Sequence, residues 1–274
     1  MARILALDRG TSALKAALFD SGTIVHRWRE PVAHTGETLR RIALESVLTA
    51  MRYEESRLRR DDSRRLLRVL AGSAAFHSVV FSSVDSKWTA EIRRVLAAMA
   101  VSRAVEVSST IAMPFEILVK SRRTLGPDRL AAAAGVVASG EKEGIIVDAG
   151  TAITVDVLSK RGFLGGAILP GRDLFYRVLH DGTSALPLVS GGSRTVEPPG
   201  RNTKEAILAG VHWGVLGAVK ELVARSRRHV SKRAAVWVTG GGGGPIARHL
   251  GTGARYEPDL VFLGLYLLFS LNED

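Results

Sequence analysis

Apolar residues recur along this chain with two different periods, and the alternation between them marks two similar halves. Ile4-Leu5-Ala6-Leu7 is a continuous apolar run that stops at Asp8-Arg9-Gly10-Thr11 and resumes from Leu14 to Phe19. With Asp20-Ser21-Gly22 as the next turn, the pattern predicts a three-stranded meander over residues 2 to 7, 13 to 19 and 22 to 28. Leu39, Ile42, Ala43 and Val47 form a stripe that predicts a helix near residues 37 to 52. Val79 to Val84 lacks alternation and reads as a strand buried on both faces. Trp88, Ile92, Val95, Leu96 and Met99 return to helical spacing, and Val105-Glu106-Val107 predicts a last strand.

The second half repeats the plan after an extra helix. Leu130 to Ala138 is apolar and alanine-rich, and Gly126-Pro127-Asp128-Arg129 marks its start. Strands are predicted at 145 to 148, 152 to 158 and 163 to 168. Asn202-Thr203-Lys204-Glu205 has the form of a capping box opening a helix to about residue 225. Ala234 to Val238 predicts a strand that ends in Thr239 and five glycines, 240 to 244, ahead of a helical Ile246-Ala247-Arg248. Such a run is either a flexible linker or a turn whose bare N–H groups meet a nucleotide, and its place between strand and helix suits the second.

One turn occurs in both halves. Asp8-Arg9-Gly10-Thr11 and Asp148-Ala149-Gly150-Thr151 each follow an apolar strand and lead into another. Glycine lets the backbone approach a ligand, and the aspartate and threonine offer a carboxylate, a hydroxyl and free N–H groups at the tip, a combination suited to phosphate and its metal ion. Two copies in equivalent contexts point to a duplicated fold with facing loops.

Composition narrows the class. The chain has 274 residues, 46% of them hydrophobic and 24% charged, enough for two domains with their own cores. The absence of cysteine excludes disulfides, thiolate zinc sites and cysteine nucleophiles. No apolar stretch reaches the roughly 20 residues of a membrane span, Leu260 to Leu271 being the longest. With no signal-peptide pattern, this predicts a cytoplasmic protein without a membrane partner. Thirty-eight Lys and Arg against 27 Asp and Glu give +11, densest from Arg57 to Arg68. That cluster has no interleaved aromatic residue and is diluted by Asp61 and Asp62, so attraction of an anionic small substrate is expected rather than nucleic-acid binding.

These segments carry a family resemblance. In order along nearly the whole chain stand Asp8-x-Gly10-x-Ser12-x-x-Lys15, Ser82-Ser83-Val84, Gly126-x-Asp128-Arg129, Asp148-x-Gly150-Thr151-Ala152, Gly165-Gly166-Ala167-Ile168-Leu169-Pro170-Gly171, Asn202-Thr203, Thr239-Gly240-Gly241, and Pro258-Asp259-Leu260 with Gly264-Leu265. The set resembles the type III pantothenate kinases, of the acetate and sugar kinase, heat-shock-cognate and actin superfamily. The resemblance implies an α/β fold of duplicated ribonuclease-H-like (actin-like ATPase) domains with an interdomain nucleotide cleft. Residues 1–112 would carry the first phosphate hairpin, and 113–274 the pantothenate site and the second hairpin. The implied reaction is ATP-dependent phosphorylation of pantothenate to 4′-phosphopantothenate, the first step of coenzyme A synthesis.

Phosphoryl transfer needs a gripped polyphosphate and an acceptor hydroxyl held in line with it. Asp8 would orient Mg2+ through its water shell, Gly10 to Ser12 would approach the phosphates, and Lys15 would neutralise charge, although spacing alone also fits a surface lysine. The cofactor-binding stretch is Asp8, Arg9, Gly10, Thr11, Ser12, Ala13, Leu14 and Lys15, and the resemblance implies a further ATP contact at Thr151. Asp128 near a helix N-terminus is stabilised as the carboxylate and so is suited to be the general base, although a plain capping aspartate has the same signature.

The resemblance further implies pantothenate contacts at Val119, Gly126, Pro127, Asp128, Arg129 and Thr203, with Arg129 on the substrate carboxylate. It implies K+ or NH4+ on Asp148, and a homodimer with the helices at 130 to 138 and 203 to 223 as candidate interface elements. Departures from the pattern are Thr11 for asparagine, the charged Arg9, Val119 at a position usually tyrosine, and Gly242 for the aspartate after Thr-Gly-Gly. The alternative is a diverged regulatory or nucleic-acid-associated protein like the related Bvg accessory factor.

Overall fold

The computed structural model describes residues 3–31, 76–98, 101–192 and 195–273. The helix predicted at 37 to 52, Met99 and the basic cluster at 57 to 68 lie outside them. Ten strands are described: β1 (Arg3–Arg9), β2 (Ala13–Asp20), β3 (Thr23–Pro31), β4 (Ser78–Ser83), β5 (Arg103–Glu106), β6 (Gly144–Ala149), β7 (Ala152–Ser159), β8 (Gly162–Pro170), β9 (Val236–Thr239) and β10 (Ala254–Tyr256). Six α-helices accompany them: α1 (Ser86–Ala98), α2 (Pro127–Ala138), α3 (Arg172–Asp181), α4 (Thr203–Ser226), α5 (Gly243–Leu250) and α6 (Leu260–Leu271).

The strands form two five-stranded sheets of the same topology. One runs β3-β2-β1-β4-β5 and the other β8-β7-β6-β9-β10. In each, the meander is antiparallel and the fourth and fifth strands are parallel to the first. Even the irregularity repeats: the register shifts between Leu18 and Phe19 in β2 and between Val157 and Leu158 in β7. This is a duplicated ribonuclease-H-like α/β fold.

The described residues fall into two compact units. Those of the first lie within 1–114, 123–135 and 261–274, and those of the second within 115–122 and 136–260. In the first, Leu5, Leu7, Leu18, Val79 and Phe81 from the sheet pack with Trp88, Ile92 and Leu96 from α1. Burial of each such side chain contributes about 1.5–3 kcal/mol. Asp85 starts α1, its Oδ1 accepting from the N–H groups of Lys87 at 2.9 Å and Trp88 at 3.2 Å. Helices α2 and α6 touch through backbone, since a Cβ on Gly264 would lie 1.8 Å from the Ala131 carbonyl oxygen. The alanines 131 to 134 of α2 are buried, so this candidate interface helix serves the core of the chain.

The second unit packs Ile145, Val147, Val155 and Val238 against Ile207, Val211, Val215, Val219 and Val223 of α4. By length and composition the helix through Thr203–His229 is long and apolar enough to cross a membrane, which corrects the expectation that no stretch is. Half of its apolar window is buried within the protein, as in a core helix. The capping box is present in altered form. Asn202 Oδ1 accepts from Glu205 N at 2.9 Å, but Glu205 Oε2 accepts from Arg201 N, one residue before the cap. The glycine run is divided, because Gly243 and Gly244 already belong to α5. Helix α3 and the short β10 have no counterpart in the sequence pattern.

Candidate active site

Lys15 on β2 and Ser82 on β4 hold one carboxylate, that of Asp8 near the end of β1. Asp8 and Lys15 are directly opposite in the antiparallel register, and Lys15 Nζ lies 3.3 Å from Asp8 Oδ2. Asp8 is also level with Ser82 of the parallel neighbour β4, whose wholly buried hydroxyl donates to Asp8 Oδ1 at 2.9 Å. The carboxylate is therefore held from both sides in a buried position, while Thr11 and Ser12 stand exposed at the tip. The turn closes through Gly10 N donating to Ala13 O at 3.1 Å. Such a tip offers exposed hydroxyls, a cation and a fixed carboxylate to an anionic ligand carrying a divalent metal.

Gly126 to Arg129 belong to the same unit, at the start of α2. Asp128 lies in the first helical turn, half-buried, and its Oδ1 accepts from Arg129 N at 2.9 Å. A Cβ on Gly126 would stand 2.4 Å from that same oxygen, so glycine is what leaves room for the carboxylate. Pro127 opens the helix, where the lost N–H costs nothing.

The second hairpin is a shorter version of the first, with Gly150 N donating to Ala152 O at 3.0 Å. It is enclosed by glycines on two sides. Gly171 N donates to Thr151 O at 2.9 Å, and a Cβ on Gly171 would come within 2.4 Å of Gly150 O. On the other side Gly240 has φ +84°, and a Cβ there would lie 2.5 Å from Asp148 Oδ1 and 2.6 Å from Ala149 O. Gly242 N donates to Ala149 O at 3.0 Å. Gly240 thus lies against both the Asp148 carboxylate and the Ala149 carbonyl oxygen, and oxygen donors of this kind suit a hard monovalent cation. Among the described residues no three His, Asp or Glu side chains gather as metal ligands.

The remaining predicted contacts also lie in the second unit. Val119 is half-buried, and a Cβ on Gly165 would meet its Cγ1 at 3.3 Å; the segment is tied to β8 by Leu118 N donating to Phe163 O at 2.9 Å. Thr203 is exposed at the first position of α4. The first unit therefore contains Asp8 to Lys15 and Gly126 to Arg129, and the second contains Val119, Asp148, Thr151 and Thr203. Sequence reasoning gave no individual role to Ser82 or to Asp85. Ser82 was marked by its Ser-Ser-Val motif, but its function as the partner of Asp8 depends on strand register.

The family model of type III pantothenate kinases matches residues 4–225. A type III pantothenate kinase of Porphyromonas gingivalis is 42% identical over 156 residues, covering 55% of this chain and 63% of the relative, so the match spans under two thirds of that protein. One of Dehalococcoides mccartyi is 28% identical over 279 residues, covering 99% and 98%. Among solved structures, a Baf-family transcriptional activator from Campylobacter jejuni superposes with a TM-score of 0.57 at 19% identity over 98% of both chains, a likeness of fold.

Proposed function

The chain belongs to the type III pantothenate kinase family, and from that premise we propose that it transfers the γ-phosphoryl group of ATP to the primary hydroxyl of pantothenate. The products are ADP and 4′-phosphopantothenate, at the entry to coenzyme A synthesis. The observation that carries this reading is the Gly126–Asp128 arrangement, in which a missing side chain makes space for one carboxylate at a helix N-terminus.

In this mechanism Asp128 accepts the hydroxyl proton as the alcohol oxygen bonds to phosphorus and the bond to the β-phosphate oxygen breaks toward ADP. Bound Mg2+ supplies charge neutralisation on the polyphosphate. Asp8, itself held by Ser82 and Lys15, would hold that ion. The backbone from Arg9 to Leu14, with the hydroxyls of Thr11 and Ser12, approaches the phosphates, and Thr151 adds a contact from the second hairpin. Gly126, Pro127 and Arg129 bind pantothenate together with Val119 and Thr203, Arg129 meeting the substrate carboxylate. Asp148 would hold K+ or NH4+.

The two repeats are 1–112 and 113–274, and the protein is a cytoplasmic homodimer. For the dimer, α4 offers exposed Gly210, Gly214 and Gly217, with no atom within 4 Å of where a Cβ would sit. A regulatory role gains no support from the Campylobacter likeness, which concerns fold alone. Phosphate transfer from ATP to pantothenate by the purified chain is the test.

A further inference from the structure

Arg9 is the residue of the first turn whose side chain the proposed chemistry does not use. It is 5% exposed, a charge taken almost wholly out of water. One guanidinium nitrogen donates to the Gly10 carbonyl oxygen, and another pairs with Asp85 Oδ2 at 3.3 Å. Its Nε is buried without a hydrogen-bond partner. An arginine in such surroundings depends on its counter-charge, and removing that partner leaves a buried charge poorly matched.

Asp85 is itself fixed. Its Oδ1 caps α1 through Lys87 N and Trp88 N, while Ser83 Oγ accepts from Asp85 N at 3.1 Å and donates to Asp85 O at 2.9 Å. Val84 N in turn donates to Arg9 O at 3.3 Å. Helix α1 thereby holds Asp85, Asp85 holds Arg9, and Arg9 holds the carbonyl of Gly10, the residue whose N–H closes the turn. We propose that Arg9 and Asp85 are positioning residues that lock Gly10 to Ser12 in the conformation receiving the polyphosphate of a nucleoside triphosphate. The ligand part of this proposal rests on the kinase reading, whereas the lock itself does not.

The informative variant is Asp85→Asn in the full chain. The capping oxygen stays with the amides of α1, since asparagine caps as well as aspartate. The amide nitrogen, a donor, then faces the guanidinium, and the charge-assisted bond is lost. Hydrogen exchange of the ligand-free protein should show residues 9 to 14 exchanging about 10-fold faster, with residues 86 to 98 unchanged. ATP should bind roughly 5-fold more weakly with kcat at saturation unaltered. Arg9→Lys, which keeps the charge but cannot reach Gly10 and Asp85 together, should loosen the same segment. Unchanged exchange over 9 to 14 in either variant overturns the lock, and so does loss of protection in α1 with Asp85→Asn, which would reduce Asp85 to a cap. A wild-type chain inactive on pantothenate, with the exchange difference intact, would overturn the substrate reading and leave the lock standing.

Discussion

The buried hydroxyl of Ser82 donates a 2.9 Å hydrogen bond to Oδ1 of Asp8, joining β4 to the phosphate turn across a parallel register. Ser82→Ala removes the donor and leaves a buried carboxylate oxygen with one support fewer. It should lower kcat/KM for Mg-ATP about 10-fold. Steady-state kinetics with varied Mg-ATP check this, and an unaltered value would deny Ser82 its supporting role.

Gly126→Ala should act on Asp128 without touching the nucleotide turn. The new Cβ would stand 2.4 Å from Asp128 Oδ1, so the carboxylate must turn away from its present position. A misplaced base should cost about 10-fold or more in kcat, with the ATP dissociation constant unaffected. Kinetics and calorimetric ATP titration separate the two quantities; full turnover in the variant would show that the position of Asp128 is not critical.

The cation site predicts a salt-specific response. Activity in sodium-only buffer should fall and recover when potassium or ammonium is added, and Asp148→Ala should abolish the recovery. Gly240→Ala should do the same, because its Cβ would crowd Asp148 Oδ1 at a φ of +84° that side chains rarely adopt. Equal rates in sodium and potassium would remove the ion from the account.

His212 gives the second unit an acid-sensitive point. Burial first, then the nearby Arg172 and His249, lower its pKa below 6.5, with Glu197 opposing. The folded state therefore binds its proton less readily than the unfolded chain does. Its contribution to stability is complete above pH 6.5 and is lost as the pH falls through the lowered value. Thermal melts at pH 7.5 and 5.5 should show a smaller acid-induced loss for His212→Gln than for the wild type, and equal losses would exclude His212 as the sensor.

Much of this was legible before the fold was known, because it rests on local chemistry. The repeated Asp-x-Gly-Thr turns appear as two hairpins in sheets of one topology, and Asn202 caps α4 as its sequence context predicts. Relations across strands were not legible. Ser82 meets Asp8 only because β4 lies parallel to β1 in one register, and Arg9 meets Asp85 only where β1 and the loop before α1 converge. The glycine run concealed a helix start because glycine is a poor helix former, and only the fold shows that a Cβ on Gly243 would stand 2.8 Å from the Tyr256 ring and 3.1 Å from Val238. Strand β10 has three residues, too few to show a period.

The most direct measurement is a coupled assay of the purified chain with ATP, Mg2+, K+ and pantothenate, run beside Asp128→Asn. The account predicts pantothenate-dependent ADP release and formation of 4′-phosphopantothenate by the wild type. It predicts turnover lower by roughly 10²-fold or more in the variant, with nearly unchanged ATP binding. No pantothenate-dependent turnover by the wild-type chain, or a variant within a few fold of it, would contradict the account.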